Sequence, residues 1–228
     1  MSYASAALAR SGRRARLCIP VFLSLASLVF STALVCRPVP VLASLRLDDA
    51  SPHAHLWRHI YAEMPACWKS PRIVQVQEVS DADMDRLIAQ SGYSDDSDLD
   101  DGDTQVDGCY DSGEDDHDPP SITLRESLRG EDAGLVFSHE YGHFVWDTFL
   151  SDRQQAQYTH LWQRQKRAGH LVTEYAGDSE EEGFAEAFSF YLRKPDVLQR
   201  RDRESWQFLH ALAVRRTARS GAGSDGRD

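Results

Sequence analysis

Asparagine is absent from all 228 residues, so the chain carries no N-glycosylation acceptor site and glycosylation says nothing about its compartment. Cysteine is scarce. Of the four, Cys18 and Cys36 lie in the first 43 residues and only Cys67 and Cys109 lie beyond. Positive charge is short as well, with 25 Lys and Arg against 36 Asp and Glu and a formal net charge of −11. Residues 1–43 hold five Arg and no acidic residue, so the remainder alone stands at −16. That deficit disfavours nucleic acid and anionic membrane surfaces as partners, and leaves cationic peptides or plain solubility as its use. No internal repeat is present, and the length fits one domain with residues left for targeting and tails.

At the N-terminus, Arg10, Arg13, Arg14 and Arg16 precede an apolar run from Leu17 to Cys36, and Val41-Leu42-Ala43 offers small residues before Ser44. This is the layout of a secretory signal over residues 1–43, and it predicts a secreted, periplasmic or extracellular protein. The rival is an uncleaved membrane anchor, because the run is nearly as long as a span. Pro20 and the interspersed Ser favour cleavage; Leu34 and Val35 are too bulky for a lipoprotein site at Cys36. In an oxidising compartment the remaining pair, Cys67 and Cys109, is read most simply as a disulfide closing a loop of about 40 residues, contributing about 2–4 kcal/mol. Two buried thiols are the alternative.

Residues 44–216 read as a single α+β domain. Leu56, Ile60 and Met64 recur every four positions with Trp57 and Tyr61 beside them, an amphipathic helix opened by Ser51-Pro52. Val74 and Val76 on one face and Ile73 and Val79 on the other predict a strand buried on both sides. Ser80 then caps a short helix through Leu87 and Ile88. Short strands are expected at Gly108–Tyr110 and Ser121–Leu124, a helix from Ser151 to Gly169, and a last helix reopening at Pro195-Asp196 whose Trp206, Leu209 and Ala213 close the core. Residues 217–228 have no apolar residue beyond Ala and read as a disordered tail.

Between these elements, residues 91–118 hold twelve Asp or Glu and no Lys or Arg, a run that cannot bury itself and is expected as a solvated loop. Its sharper reading is Ca2+ binding through Asp96, Asp98 and Asp100. The EF-hand pattern does not fit, because Gly102 falls one place late and no Glu closes the loop.

The centre of the chain is His139-Glu140-Tyr141-Gly142-His143, inside a helix expected from about Glu131 to Leu150. On a helix the two imidazoles leave one face a turn apart and can grip one metal ion, while Glu140 reaches a water without ligating. Chance produces such a string in roughly 2 of 100 chains of this composition, so context decides. The helix is apolar nearly all round and therefore buried, and polar groups inside it need partners. Tyr141 reads as packing and Gly142 as allowing close approach of a neighbour. The extended metzincin pattern fails, with Trp146 and Phe149 where Gly and His are required. A third ligand must come from a carboxylate beyond His143. Asp147, one turn on, is better placed to support the site, and Glu182 is the choice, with Glu186 hydrogen-bonding a ligand imidazole. If Ser179 is the N-cap of that helix, Glu182 instead completes a capping box with no metal; if Asp178 is the cap, Glu181 takes that place. His160 and His170 read as spare.

The segment from Tyr175 to Phe188, containing Glu182-Gly183-Phe184-Ala185-Glu186-Ala187-Phe188 and read after HEYGH, resembles the catalytic domain of anthrax lethal factor and the secreted Pro-Pro endopeptidases, over roughly residues 108–212. The resemblance implies a zincin fold with a small sheet and an HExxH helix, His139, His143 and Glu182 as ligands of one Zn2+, and Tyr175 assisting catalysis. Gly183 departs from the aromatic residue common there, and the acidic loop has no counterpart. The expected function is a secreted zinc endopeptidase acting on a peptide or protein substrate, with Glu140 as general base and Tyr175 as oxyanion donor. The alternative is a catalytically silent binding protein that keeps the scaffold and uses the acidic loop to capture calcium or a basic partner.

Overall fold

A computed structural model describes residues 45–47, 51–90, 106–113 and 119–222. The reading of residues 1–43 as a leader or anchor, most of the solvated acidic loop expected over 91–118 and the calcium reading at Asp96, Asp98 and Asp100 lie outside the described residues. The architecture is mixed α+β. Strand β1 (Leu45–Leu47) precedes helix α1 (Ala54–Glu63), a 3-10 turn at Ala66–Trp68, strand β2 (Val74–Val79) and helix α2 (Asp81–Gln90). Strands β3 (Gly108–Asp111) and β4 (Ser121–Arg125) lead into helix α3 (Gly130–Phe149). Helix α4 (Asp152–Ala168), a 3-10 turn at Tyr175–Gly177 and helices α5 (Glu180–Arg193), α6 (Pro195–Arg201) and α7 (Arg203–Ala222) follow.

The sheet has the order β1-β2-β4-β3. Its first three members are parallel, and β3 lies antiparallel at the edge, with Gly108 opposite Leu124 and Tyr110 opposite Ile122. Side chains alternate across a strand, so Ile122 and Leu124 bury one face of β4 while Thr123 and Arg125 bury the other. The guanidinium of Arg125 is tied down by the carbonyls of Val106 (2.6 Å) and Asp81 (2.9 Å) and by Asp85, as burying a charge requires. For β2 the two-sided expectation is corrected. Val74 and Val76 are buried, but Ile73 is 46% exposed and Val79 only half-buried, so one face alone meets the core.

Helix α3 is the axis of the core, with Phe137, Tyr141, Phe144 and Val145 fully buried. Tyr141 packs as expected and also donates its hydroxyl proton to the carbonyl of Trp68 (3.0 Å). Its broadest interface is with α5. There Gly142 lets the two backbones touch, because a Cβ at that position would stand 2.8 Å from Cα of Ala185. Gly183, the departure noted above, has a parallel reason. A Cβ there would fall 2.5 Å from the indole of Trp162, whose N–H donates to the carbonyl of Ala176 (2.8 Å).

Helix α4 begins with a capping box of Ser151 and Gln154 and ends at Gly169 with φ 67°, which a glycine adopts at no steric cost. The single last helix expected from Pro195 is two. Asp202 leaves helical geometry and its carboxylate accepts from the N–H (3.1 Å) and hydroxyl (2.7 Å) of Ser205, acting as a fresh cap. The tail is corrected as well: residues 217–222 continue α7, and 223–228 lie outside the described residues.

No disulfide links Cys67 and Cys109. Cys67 sits in the first 3-10 turn, where its carbonyl accepts from Arg216 on α7 (2.6 Å). Cys109 lies on β3 within hydrogen-bonding reach of Thr123, its thiol pushed up to about 11 by burial and by the Glu140 carboxylate. The two residues sit against different neighbours, so an even count did not mean a pair. Among the described residues no helix is long and apolar enough to cross a membrane. Gly142→Val is expected to wedge α3 from α5 and cost about 1–3 kcal/mol, read as a lowered urea midpoint.

Candidate metal centre

The helical repeat brings His139 and His143 together on α3, with ring centroids 4.9 Å apart and their Nε2 atoms 3.1 Å apart. From α5, Oε2 of Glu182 lies 3.1 Å from Nε2 of His139 and 3.4 Å from Nε2 of His143. All three residues are buried, and their three ligand atoms lie within 4.8 Å of one another. The opposite nitrogen of His139, Nδ1, is held by Oε1 of Glu186 (2.9 Å), whose Oε2 accepts from the hydroxyl of Thr173 (2.7 Å). With its one N–H given to Glu186, a neutral His139 presents a lone pair at Nε2. That lone pair, Nε2 of His143 and a carboxylate oxygen then point at one spot. Three acceptors in an apolar interior repel unless a cation lies among them, and the group is able to hold a metal ion.

Without a metal, a proton has to serve. Burial alone would lower His139, but hydrogen bonds to Glu182 and Glu186 outweigh it and hold the imidazole well above its ordinary value. Burial alone would raise Glu182, and its bonds to His139 and His143 hold its carboxyl well below the usual carboxylate range.

Glu140 is fully buried, and among the described residues neither of its carboxylate oxygens has a hydrogen-bond partner. Burial, reinforced by Glu182 and Glu186 against the opposing His139, pushes it up to about 8. It lies under β3. A Cβ on Gly108 would stand 2.9 Å from its Oε1 and 2.9 Å from Cγ1 of Val136, so only glycine leaves the carboxylate room.

Tyr175 lies on the second 3-10 turn, half-buried, its ring 5.8 Å from that of His139. The hydroxyl of Thr173, besides holding Glu186, accepts from the N–H of Ala176 (3.1 Å) and thereby fastens this turn to the carboxylate behind His139. Asp147 is exposed. Its carboxylate is within hydrogen-bonding reach of the Tyr110 hydroxyl, and partial burial raises its carboxyl while Tyr110 and the charge of His143 oppose. His160 and His170 are exposed and away from the centre.

The capping question resolves in an unforeseen way. Ser179 is the N-cap of α5 and its hydroxyl accepts from the N–H of Glu182 (3.1 Å), yet the Glu182 carboxylate turns to the histidines instead of closing the box. One residue serves the helix through its backbone and the centre through its side chain. Sequence reasoning missed Gly108, Tyr110 and Thr173. Period-two alternation over Gly108–Tyr110 puts the first two on one face, but only the packing shows α3 beneath it.

Compared with known proteins, the chain matches no family model and no curated sequence.

Stability of the metal-free protein should follow these groups. His139, raised from 6.5, contributes fully below pH 6.5 and loses that contribution as pH rises through its folded value. Glu140, raised from 4.5 to about 8, costs stability that grows between those values. Glu182, lowered from 4.5, contributes above pH 4.5 and loses this as pH falls. Thermal unfolding in chelator should therefore find the protein less stable at pH 8.5 than at pH 6, by on the order of 2–5 kcal/mol, and excess divalent metal should restore most of the difference.

Proposed function

We propose that this protein is a zinc-dependent endopeptidase of the zincin type, with His139, His143 and Glu182 as zinc ligands, Glu140 as general base and Tyr175 as oxyanion donor. The observation that carries the reading is Glu140. A fully buried carboxylate whose two oxygens have no partner among the described residues, beside three convergent ligand atoms, costs the fold stability. A scaffold retained only for binding has no use for such a group. A hydrolase that must take and return a proton near neutral pH does. The resemblance to the lethal factor catalytic domain and the Pro-Pro endopeptidases supports the same assignment, through HEYGH and the segment from Tyr175 to Phe188.

The donor set favours zinc. Two imidazoles and one carboxylate suit a borderline-soft ion, whereas calcium takes six to eight oxygens. When bound, zinc supplies Lewis acidity and brings the acidity of water toward neutrality. The rest falls to side chains of this chain. Glu140 takes a proton as water adds to the peptide carbonyl, and delivers it to the amine nitrogen as the C–N bond breaks. Tyr175 donates a hydrogen bond to the negative oxygen that forms on the carbonyl carbon. Glu186 holds the tautomer of His139 and Thr173 holds Glu186. An exported location is part of the proposal and rests on the N-terminal pattern alone, since Cys67 and Cys109 are free thiols.

The decisive comparison is between two variants. Glu140→Gln should keep stoichiometric zinc and lose about 10²–10⁴-fold in cleavage of a diverse peptide library, whereas Glu182→Ala should lose the metal. Full activity in the Glu140 variant, or zinc bound by the wild type with no peptide cleaved, overturns the reading.

A further inference from the structure

The two histidines are held in different ways. His139 is oriented by the carboxylate of Glu186 at Nδ1 (2.9 Å). His143 has no such bond: among the described residues its hydrogen-bond and ion-pair contacts all lie at Nε2, toward His139 and Glu182. An imidazole without a partner on its far nitrogen turns about χ1 and χ2, and an acceptor aimed a few tenths of an ångström off loses metal affinity. Something else must set this ring.

Tyr110 is against it. On β3 it is two residues from Gly108, so both positions face the same side of the strand, toward α3. Gly108 covers Glu140, and Tyr110 covers the residue three further along the helix. Its ring lies nearly parallel to the imidazole of His143, with centroids 6.2 Å apart and planes at 12°. The ring is itself confined. Tyr110 is buried, meets Phe144 edge-on at 6.5 Å, and has its hydroxyl within reach of Asp147, one turn beyond His143. Its backbone is paired with Ile122, so the strand cannot slide without breaking the sheet.

We propose that Tyr110 is the positioning residue for His143: its ring, clamped by Phe144 and by Asp147 at the hydroxyl, sets the plane of the imidazole and so the direction of Nε2. Asp147 acts at one remove. The exposed carboxylate on the helix reaches the histidine through the tyrosine, not by a bond of its own. This rests on the reading of His139, His143 and Glu182 as a metal site, and it separates the two supports. One histidine is held by hydrogen bonding from α5, the other by an aromatic plate from the sheet edge.

The test uses the full chain with Zn2+ and Co2+ as probes. Zinc affinity is measured by chelator competition, and the visible absorption of the cobalt form reports ligand geometry independently of activity. Tyr110→Leu keeps apolar bulk but removes the flat ring; Tyr110→Phe keeps the ring and removes the hydroxyl. Tyr110→Leu is expected to lose about ten- to a hundredfold in zinc affinity and to alter the cobalt spectrum; Tyr110→Phe and Asp147→Asn, which loosen only the hydroxyl end of the clamp, are expected to lose a smaller, matching amount, about two- to fivefold. Urea midpoints of the metal-free forms separate a loss of ligand geometry from a loss of fold. Wild-type affinity and an unchanged cobalt spectrum in Tyr110→Leu overturn the positioning role and leave the metal site standing. An affinity loss in Tyr110→Leu matched by an equal loss of metal-free stability overturns it too. If the wild type binds neither metal, the metal reading itself fails, and the positioning role with it.

Discussion

Everything in this structure turns on three acceptor atoms meeting inside an apolar interface. Nε2 of His139, Nε2 of His143 and Oε2 of Glu182 converge between α3 and α5, where burial weakens the screening of their mutual repulsion. Only a cation in their midst makes the arrangement favourable. The two helices can come close enough to assemble it because Gly142 presents no side chain to the backbone of Ala185. Tyr141, on the side of α3 away from the ligands, ties the helix to the carbonyl of Trp68.

Around that point the surroundings divide into parts that stabilise and parts that do not. Glu186 and Thr173 are fully satisfied: each hydrogen bond orients the next group, from the turn carrying Tyr175 to the imidazole of His139. Glu140 is the reverse, buried with neither oxygen paired among the described residues, beneath a strand glycine whose missing side chain leaves it room. Burying such a group costs stability, and that cost is what the proposed hydrolytic role rests on. Strand β3 thus matters more than its four residues suggest. One of its faces covers both Glu140 and His143, with the smallest side chain over the first and an aromatic plate over the second.

The parts legible in the sequence share a physical basis. Apolar spacing placed α1 and α3, Ser80 and Ser151 marked helix starts, Gly169 a helix end, and the four-residue interval put His139 and His143 on one face; each depends on neighbours along the chain. The expectations that failed depend on neighbours in space. A disulfide between Cys67 and Cys109 required the two to meet, and they pack against α7 and against β4 and α3 instead. Ile73 looked apolar enough for a second buried face on β2, but nothing sufficient covers it. Residues 217–222 have little to bury, yet they extend a helix already nucleated by α7, and propagation is far easier than nucleation.

By itself, then, the sequence determined the helix that carries the histidines, the candidate carboxylates downstream and the acidic character of the chain, because periodicity, capping and charge are local properties. The tertiary structure decided which carboxylate meets the histidines, which one lies behind His139, and that Gly108 and Tyr110 cover the site from the sheet edge. Those choices rest on the register of β3 against β4 and on the contact of Gly142 with Ala185. They join residues that are far apart in the chain, up to 47 positions between His139 and Glu186, and no local pattern encodes such a distance.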